Sequence, residues 1–107
     1  MKSAVFNELV EAQFEVCRNI LFDRGAIYTT GKDRVGNFKD AASLQNILPE
    51  EALRGMVTKH IIAIYDFLGN LSIDKETPKE QWEEKITDII NYLMLLKGLL
   101  IDNDHWR

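Results

Sequence analysis

Apolar residues recur at three-to-four spacing near the start of the chain: Val5, Phe6, Leu9, Val10, Phe14, Val16, Cys17, Ile20 and Leu21. That period predicts an amphipathic helix over residues 4–23, with Gly25 placed to end it as a left-handed cap. The pattern then lapses into Thr, Gly, Lys, Asp and Arg, which predicts a polar loop over 25–37. Asn37, with Asp40 three positions later, fits the capped start of a short helix to about Asn46. Pro49 suits the first position of a third helix running to about Leu68, and Glu50 and Glu51 suit the positive end of its dipole. Thr77-Pro78-Lys79-Glu80 combines a capping Thr, a first-turn Pro and a box-closing Glu, and apolar residues continue from there to about Ile101. Residues 102–107 are left as a polar tail and a candidate for disorder. No stretch alternates with period two. The expected fold is all-α, a single domain over 1–107 with a bundle of three long helices and one short one.

At 100° per residue the last helix carries two faces. Trp82, Ile86, Ile89, Leu93, Leu96 and Leu100 form one stripe, the expected core face. Glu84, Asp88, Asn91, Leu95 and Leu99 form the opposite one. The second half of this helix is apolar nearly all round, which implies burial on several sides. In a chain of 107 residues that predicts a homo-oligomer.

Composition narrows the partners. At 46 % hydrophobic residues a core can form, while a net charge of −4 argues against a broad nucleic-acid surface built on phosphate contacts. A small anionic ligand held by a few local cations or a metal stays compatible with it. The apolar runs Ile61–Ile64 and Leu93–Leu96 fall far short of the ~20 residues of a membrane span. A lone Cys17 and the lack of a secretory apolar stretch predict a reducing cytoplasm.

Residues 25–33, GAIYTTGKD, share letters with a Walker loop. Five residues separate its glycines instead of four, Asp33 stands where the Mg²⁺-binding hydroxyl belongs, and a helix rather than a strand precedes it. A phosphate loop of that type is excluded. Other polar groups are better placed. Glu84 and Asp88 lie one turn apart with Asn91 on the next, so facing a bundle interior they require a cation or a basic partner, a need that Mg²⁺ or Mn²⁺ meets well. Facing solvent, they would simply pair with Lys85 or a loop lysine. Lys59 and Asp66 share one side of the third helix with Ala52, Gly55 and Ala63, whereas His60 lies toward Leu53, Met56 and Phe67 as a core histidine or a ligand contact. In the loop, Tyr28, Lys32, Arg34, Asn37 and Phe38 offer cations, an amide and aromatics that can clamp phosphates and stack a base, although Phe38 also suits a core anchor. If Lys32, Arg34 and Asn37 face the carboxylate stripe they make a ligand site; if they point to bulk solvent the chain is better read as an interaction module.

These residues resemble those of small phage and prophage helical proteins. The likeness is carried by Tyr28, Lys32-Asp33-Arg34 and Asn37-Phe38, then Ala52-Leu53-x-Gly55-Met56-x-x-Lys59-His60 with Asp66, then Trp82-x-Glu84-Lys85-Ile86-x-Asp88-x-x-Asn91-Tyr92-Leu93, over about residues 18–101. More distantly the sequence is similar to nucleotide-modification-associated helical domains and to MazG-type all-α nucleoside triphosphate pyrophosphohydrolases. That resemblance implies an oligomeric bundle, a dimer or tetramer, in which Asp66, Glu84 and Asp88 hold Mg²⁺ or Mn²⁺ and direct a water at phosphorus. Lys59, Lys32 and Arg34 would neutralise phosphate oxygens, and Asn91, Tyr28, Asn37 and His60 would help position the substrate. The spacing Glu84-x-x-x-Asp88 replaces that superfamily's E-x-x-D, and Glu8-x-x-Glu11 has its first-motif letters on what reads as a solvated face of the first helix. The expected function is binding of a nucleotide or related phosphate ligand through a divalent metal, with pyrophosphohydrolase-like activity; a non-catalytic interaction module is the alternative.

Overall fold

A computed structural model describes the backbone of residues 1–28 and 33–107 and the side chains of 1–24 and 33–107. Among the described residues the secondary structure is four helices: α1 Ser3–Tyr28, α2 Gly36–Gln45, α3 Pro49–Leu71 and α4 Lys79–Asp102. No described helix is long and apolar enough to cross a membrane.

The ends of the helices depart from the sequence expectation. Helix α1 passes through Gly25 and continues to Tyr28. A helix-interior glycine costs only about 1 kcal/mol, and Ala26, Ile27 and Tyr28 sustain the helix beyond it. Asn37 lies inside α2 rather than capping it, because the entry turn is made earlier: Asp33 Oδ1 accepts the Val35 N–H at 3.1 Å. Asn46 ends α2 in the left-handed region at φ 55°, its N–H meeting the carbonyls of Ala42 and Ser43. Pro49 opens α3 as expected, and Glu51 Oε1 accepts the Leu48 N–H at 3.2 Å. The residue before α4 is Pro78, with no side-chain cap, so Thr77 does not close the expected box.

Helices α3 and α4 run antiparallel. Phe67 meets Trp82 edge-on at 5.2 Å at one end, and Glu50 accepts from Asn103 Nδ2 at 3.1 Å at the other. Helix α1 runs parallel to α4, with Gln13 Nε2 donating to Thr87 Oγ1 at 2.8 Å and Leu21 and Phe22 lying beside Met94 and Leu95. Helix α2 closes one end, where Phe38 and Val35 pack with Leu53 and Leu99 and draw in Met56, Val57, Tyr92, Leu95 and Leu96. Cys17 is buried on α1, as its apolar face predicts.

The buried side of α4 is only partly the expected one: Trp82 and Leu96 pack inward as read. Ile86 and Leu93 are 42 % and 58 % exposed, whereas Thr87, Asn91 and Leu99 are buried. Helices α1 and α3 flank α4, and the strip between them carries Thr87, Asp88, Asn91, Leu95 and Leu99. From Asp88 onward the polar stripe therefore points inward, while Glu84 at its start stays exposed.

The C-terminal residues are fastened. Besides Asn103, His105 Nδ1 lies 3.0 Å from Glu50 Oε1, and Arg107 bonds Asp104. Burial pushes the Glu50 carboxyl up, but Asn103, its own N–H and His105 outweigh that and hold it below its ordinary value.

Candidate functional site

A cavity of ≈ 210 Å³ lies where α1, the turn before α2, α3 and α4 meet. Its polar lining is Arg24, Arg34, Asn37, Asp88, Asn91 and Tyr92, over an apolar floor that includes Leu21, Phe38, Met56 and Leu95. Sequence spacing explains the convergence. Asp88, Asn91, Tyr92 and Leu95 stand at i, i+3, i+4 and i+7 of α4, one face of one helix. Arg24 follows Ile20 by four positions and Leu21 by three, so it projects on the same side of α1.

The turn before α2 is held from below. Lys39 Nζ bonds Asp33 Oδ2 at 2.9 Å and also Asp102, tying this turn to the end of α4. The Lys39 ammonium and the Val35 N–H keep the Asp33 carboxyl below its ordinary range. Arg34 follows directly, and its Nη2 donates to the Leu21 carbonyl at 3.3 Å. Among the described residues that is one bond for five guanidinium N–H donors. Asn37, one residue into α2, forms the exposed rim.

Asn91 is the unusual member. It is 6 % exposed, and among the described residues neither its Oδ1 nor its Nδ2 finds a hydrogen-bond partner. A buried amide with both ends orphaned costs on the order of 1–3 kcal/mol per group, unless something in the cavity meets it.

Behind Asp88 lies His60 of α3. Its Nδ1 is 3.7 Å from Asp88 Oδ2 and 3.4 Å from Lys85 Nζ, and its ring tilts against Tyr92 with centroids 5.4 Å apart. The longer distance is an electrostatic contact rather than a hydrogen bond. Burial, then the Lys85 charge, lowers the His60 pKa from its ordinary 6.5 against the opposite pull of Asp88; Lys59 lowers it further and Glu84 raises it. The neutral ring accepts the Lys85 N–H at Nδ1, which places its own proton on Nε2. An unfolded His60 binds a proton at higher pH than the folded one, so folding stability present above pH ~6.5 is lost on acidification through the lower folded value. Chemical-denaturation midpoints between pH 7.5 and 5 are expected to fall for the native chain and to fall less for His60→Gln; a midpoint that rises on acidification would contradict this protonation state.

The expected site residues divide. Asp88, Asn91, Arg34 and Asn37 share one cavity, and His60 backs it. Glu84 is exposed beside Lys85 at 3.7 Å, and Lys59 and Asp66 are exposed on α3. These two do not form an inward polar stripe: the buried residues of α3 are Ala52, Leu53 and His60, which fixes the inward side one position away from Lys59. Lys32 and the Tyr28 side chain lie outside the described residues. Among the described residues no group of three or more His, Cys, Asp or Glu side chains is placed to hold a metal ion, so Asp66, Glu84 and Asp88 do not converge within one chain.

Arg24 and the cavity role of Tyr92 were not foreseen. Arg24 shares α1's inward side with Ile20 and Leu21, a signal hidden by ending the helix near Asp23. No protein-family model, curated protein or solved structure matches the chain, so the chemistry of these residues carries its functional reading.

Proposed function

We propose that this cavity binds a small phosphate-bearing ligand of the nucleotide class. The observation that carries the reading is Asn91, a buried amide whose polar atoms have no partner among the described residues, lining a cavity that two arginines also line. Arg24 and Arg34 against the single carboxylate of Asp88 give the lining a net positive charge inside a chain of net charge −4. Planar guanidinium forks suit phosphate oxygens, and an amide offers both a donor and an acceptor to a base or sugar. At ≈ 210 Å³ the cavity takes the phosphate and its neighbouring groups. A larger, mostly apolar groove of ≈ 700 Å³ shares Leu21, Arg34 and Leu95 with it and gives the rest of the ligand a place to lie.

Asp88 is the one carboxylate in the lining. Mg²⁺ commonly takes one or two protein carboxylates and completes its shell with water and phosphate oxygens, so Asp88 would hold such an ion together with a polyphosphate. Arg34, Arg24 and Asn91 bind and orient the ligand themselves. Asp66 and Glu84 lie elsewhere on the surface.

A melting-temperature panel tests this, using inorganic phosphate, pyrophosphate and ribo- and deoxynucleoside triphosphates, each with and without Mg²⁺ or Mn²⁺. A ligand at ~100 times its dissociation constant adds about 2.7 kcal/mol, a rise on the order of ten degrees for a domain this size. Arg34→Ala is expected to abolish the rise. Asp88→Asn is expected to retain the metal-free part and to lose the increment that metal adds. No rise with any member would refute the proposal.

A further inference from the structure

Arg34 lines both the ligand cavity and the groove beside it, yet it stands on a turn rather than on a helix. A long side chain on a free turn would have to be ordered when a ligand binds, at a cost in affinity. The turn is instead bracketed on both sides of Arg34. The Asp33 carboxylate uses both oxygens: Oδ1 accepts the Val35 N–H at 3.1 Å, and Oδ2 accepts from Lys39 Nζ at 2.9 Å. The Gly36 N–H closes the same turn onto the Asp33 carbonyl at 3.1 Å. Asp33 lies so close over residue 36 that a Cβ there would come within 3.3 Å of its own Cβ, which suits glycine. Val35, next after Arg34, is held in the core with Phe38, Leu53 and Leu99. Lys39 extends the tie outward. Its ammonium also bonds Asp102 at the end of α4, and the residues just beyond, Asn103 and His105, bond Glu50 at the start of α3.

We propose that Lys39 is a positioning residue for ligand binding: by bridging Asp33 and Asp102 it sets the turn so that Arg34 meets the ligand already ordered. The role rests on the phosphate-ligand reading of the cavity. Lys39 does not itself line that cavity, so it acts through Arg34. One carboxylate transmits the effect, because Lys39 on Oδ2 orients Oδ1 toward the Val35 N–H, and Arg34 is the residue spanned by that bond. Both bridges reach solvent, with the Lys39 side chain 36 % exposed, and exposed ion pairs add little to global stability. Loss of Lys39 therefore weakens binding far more than it weakens the fold.

Two readouts on the full chain test this, one with inorganic pyrophosphate and one without any ligand. Lys39→Met is expected to weaken pyrophosphate binding roughly three- to tenfold, the cost of ordering one long side chain, with the urea midpoint close to native. Lys39→Arg, which can still bridge two carboxylates, is expected to bind within about twofold of the native chain. Lys75→Met removes the same charge from the exposed segment after α3 and is expected to leave affinity unchanged. Without ligand, amide hydrogen exchange followed by NMR is expected to run about threefold faster or more at Val35 and Gly36 in Lys39→Met, and at the native rate in Lys39→Arg. Unchanged exchange at these two amides overturns the proposal, as does native affinity in Lys39→Met or an equal loss in Lys75→Met. A native chain that binds no pyrophosphate, while Lys39→Met still speeds exchange at both amides, refutes the ligand reading and leaves the clamp on Arg34 standing.

Discussion

Phe38→Ala is expected to remove most of the stability of this chain. Phe38 is 2 % exposed and joins Val35, Leu53 and Leu99 in the core cluster where α2 meets α3 and α4. Truncating a buried phenylalanine costs about 3–5 kcal/mol, through lost transfer energy and the cavity left behind. A domain of this size has only about 5–15 kcal/mol to lose. The loss is expected to weigh heavily because few side chains are fully buried here. Phe38 also forms part of the ligand-cavity floor, so binding is expected to weaken along with the fold. Urea denaturation at fixed protein concentration measures the cost, with an unchanged slope and a lower midpoint. A loss below about 1 kcal/mol would mean that α2 is not anchored through this ring.

Asn91→Leu is expected to do the reverse to stability and more harm to function. Leucine has nearly the shape of asparagine and carries no polar atoms to orphan. Replacing a buried amide whose two ends have no partner among the described residues is therefore expected to raise stability by about 1–2 kcal/mol, seen as a melting temperature several degrees higher. The same change removes the groups that meet the ligand, and affinity is expected to fall at least ~tenfold, the worth of one good buried hydrogen bond to a charged or polar partner. A residue kept at a cost to the fold, whose removal abolishes binding, is the signature of a site that trades stability for function. If Asn91→Leu instead destabilises the chain, the amide is satisfied within the folded protein and serves the bundle rather than a ligand.

The helices were legible because the 3.6-residue period of apolar positions is written along α1, α3 and α4. Phe38 and Cys17 could be read as core from their apolar surroundings. The convergence of Asp88 and Asn91 was legible too, since three residues along one helix must share a side. Which side of α4 faces inward was not. Periodicity gives two stripes, and only the placement of α1 and α3 decides that Thr87, Asn91 and Leu99 are covered while Ile86 and Leu93 are not. Helix ends were misplaced for a related reason. Gly25 has the chemistry of a terminator and Thr77 that of a cap, but neighbouring residues sustain α1 past the first, and α4 begins at Lys79, after Pro78, without using the second. The shifted end of α1 then hid Arg24. Lys59 and Asp66 were placed inward on the strength of adjacent small residues, whereas the contact with α4 runs through His60 one position away. The pairing of Lys39 with Asp102 joins residues 63 positions apart, and no local pattern announces it.

The most direct measurement is titration calorimetry of pyrophosphate and nucleoside triphosphates, with and without Mg²⁺, into the native chain, Arg34→Ala and Asn91→Leu. Saturable binding to one site per chain is predicted, weakened at least ~tenfold by each substitution while both variants stay folded. No binding by any of these ligands, or an affinity unchanged in both variants, would contradict the assignment of this cavity as the functional site.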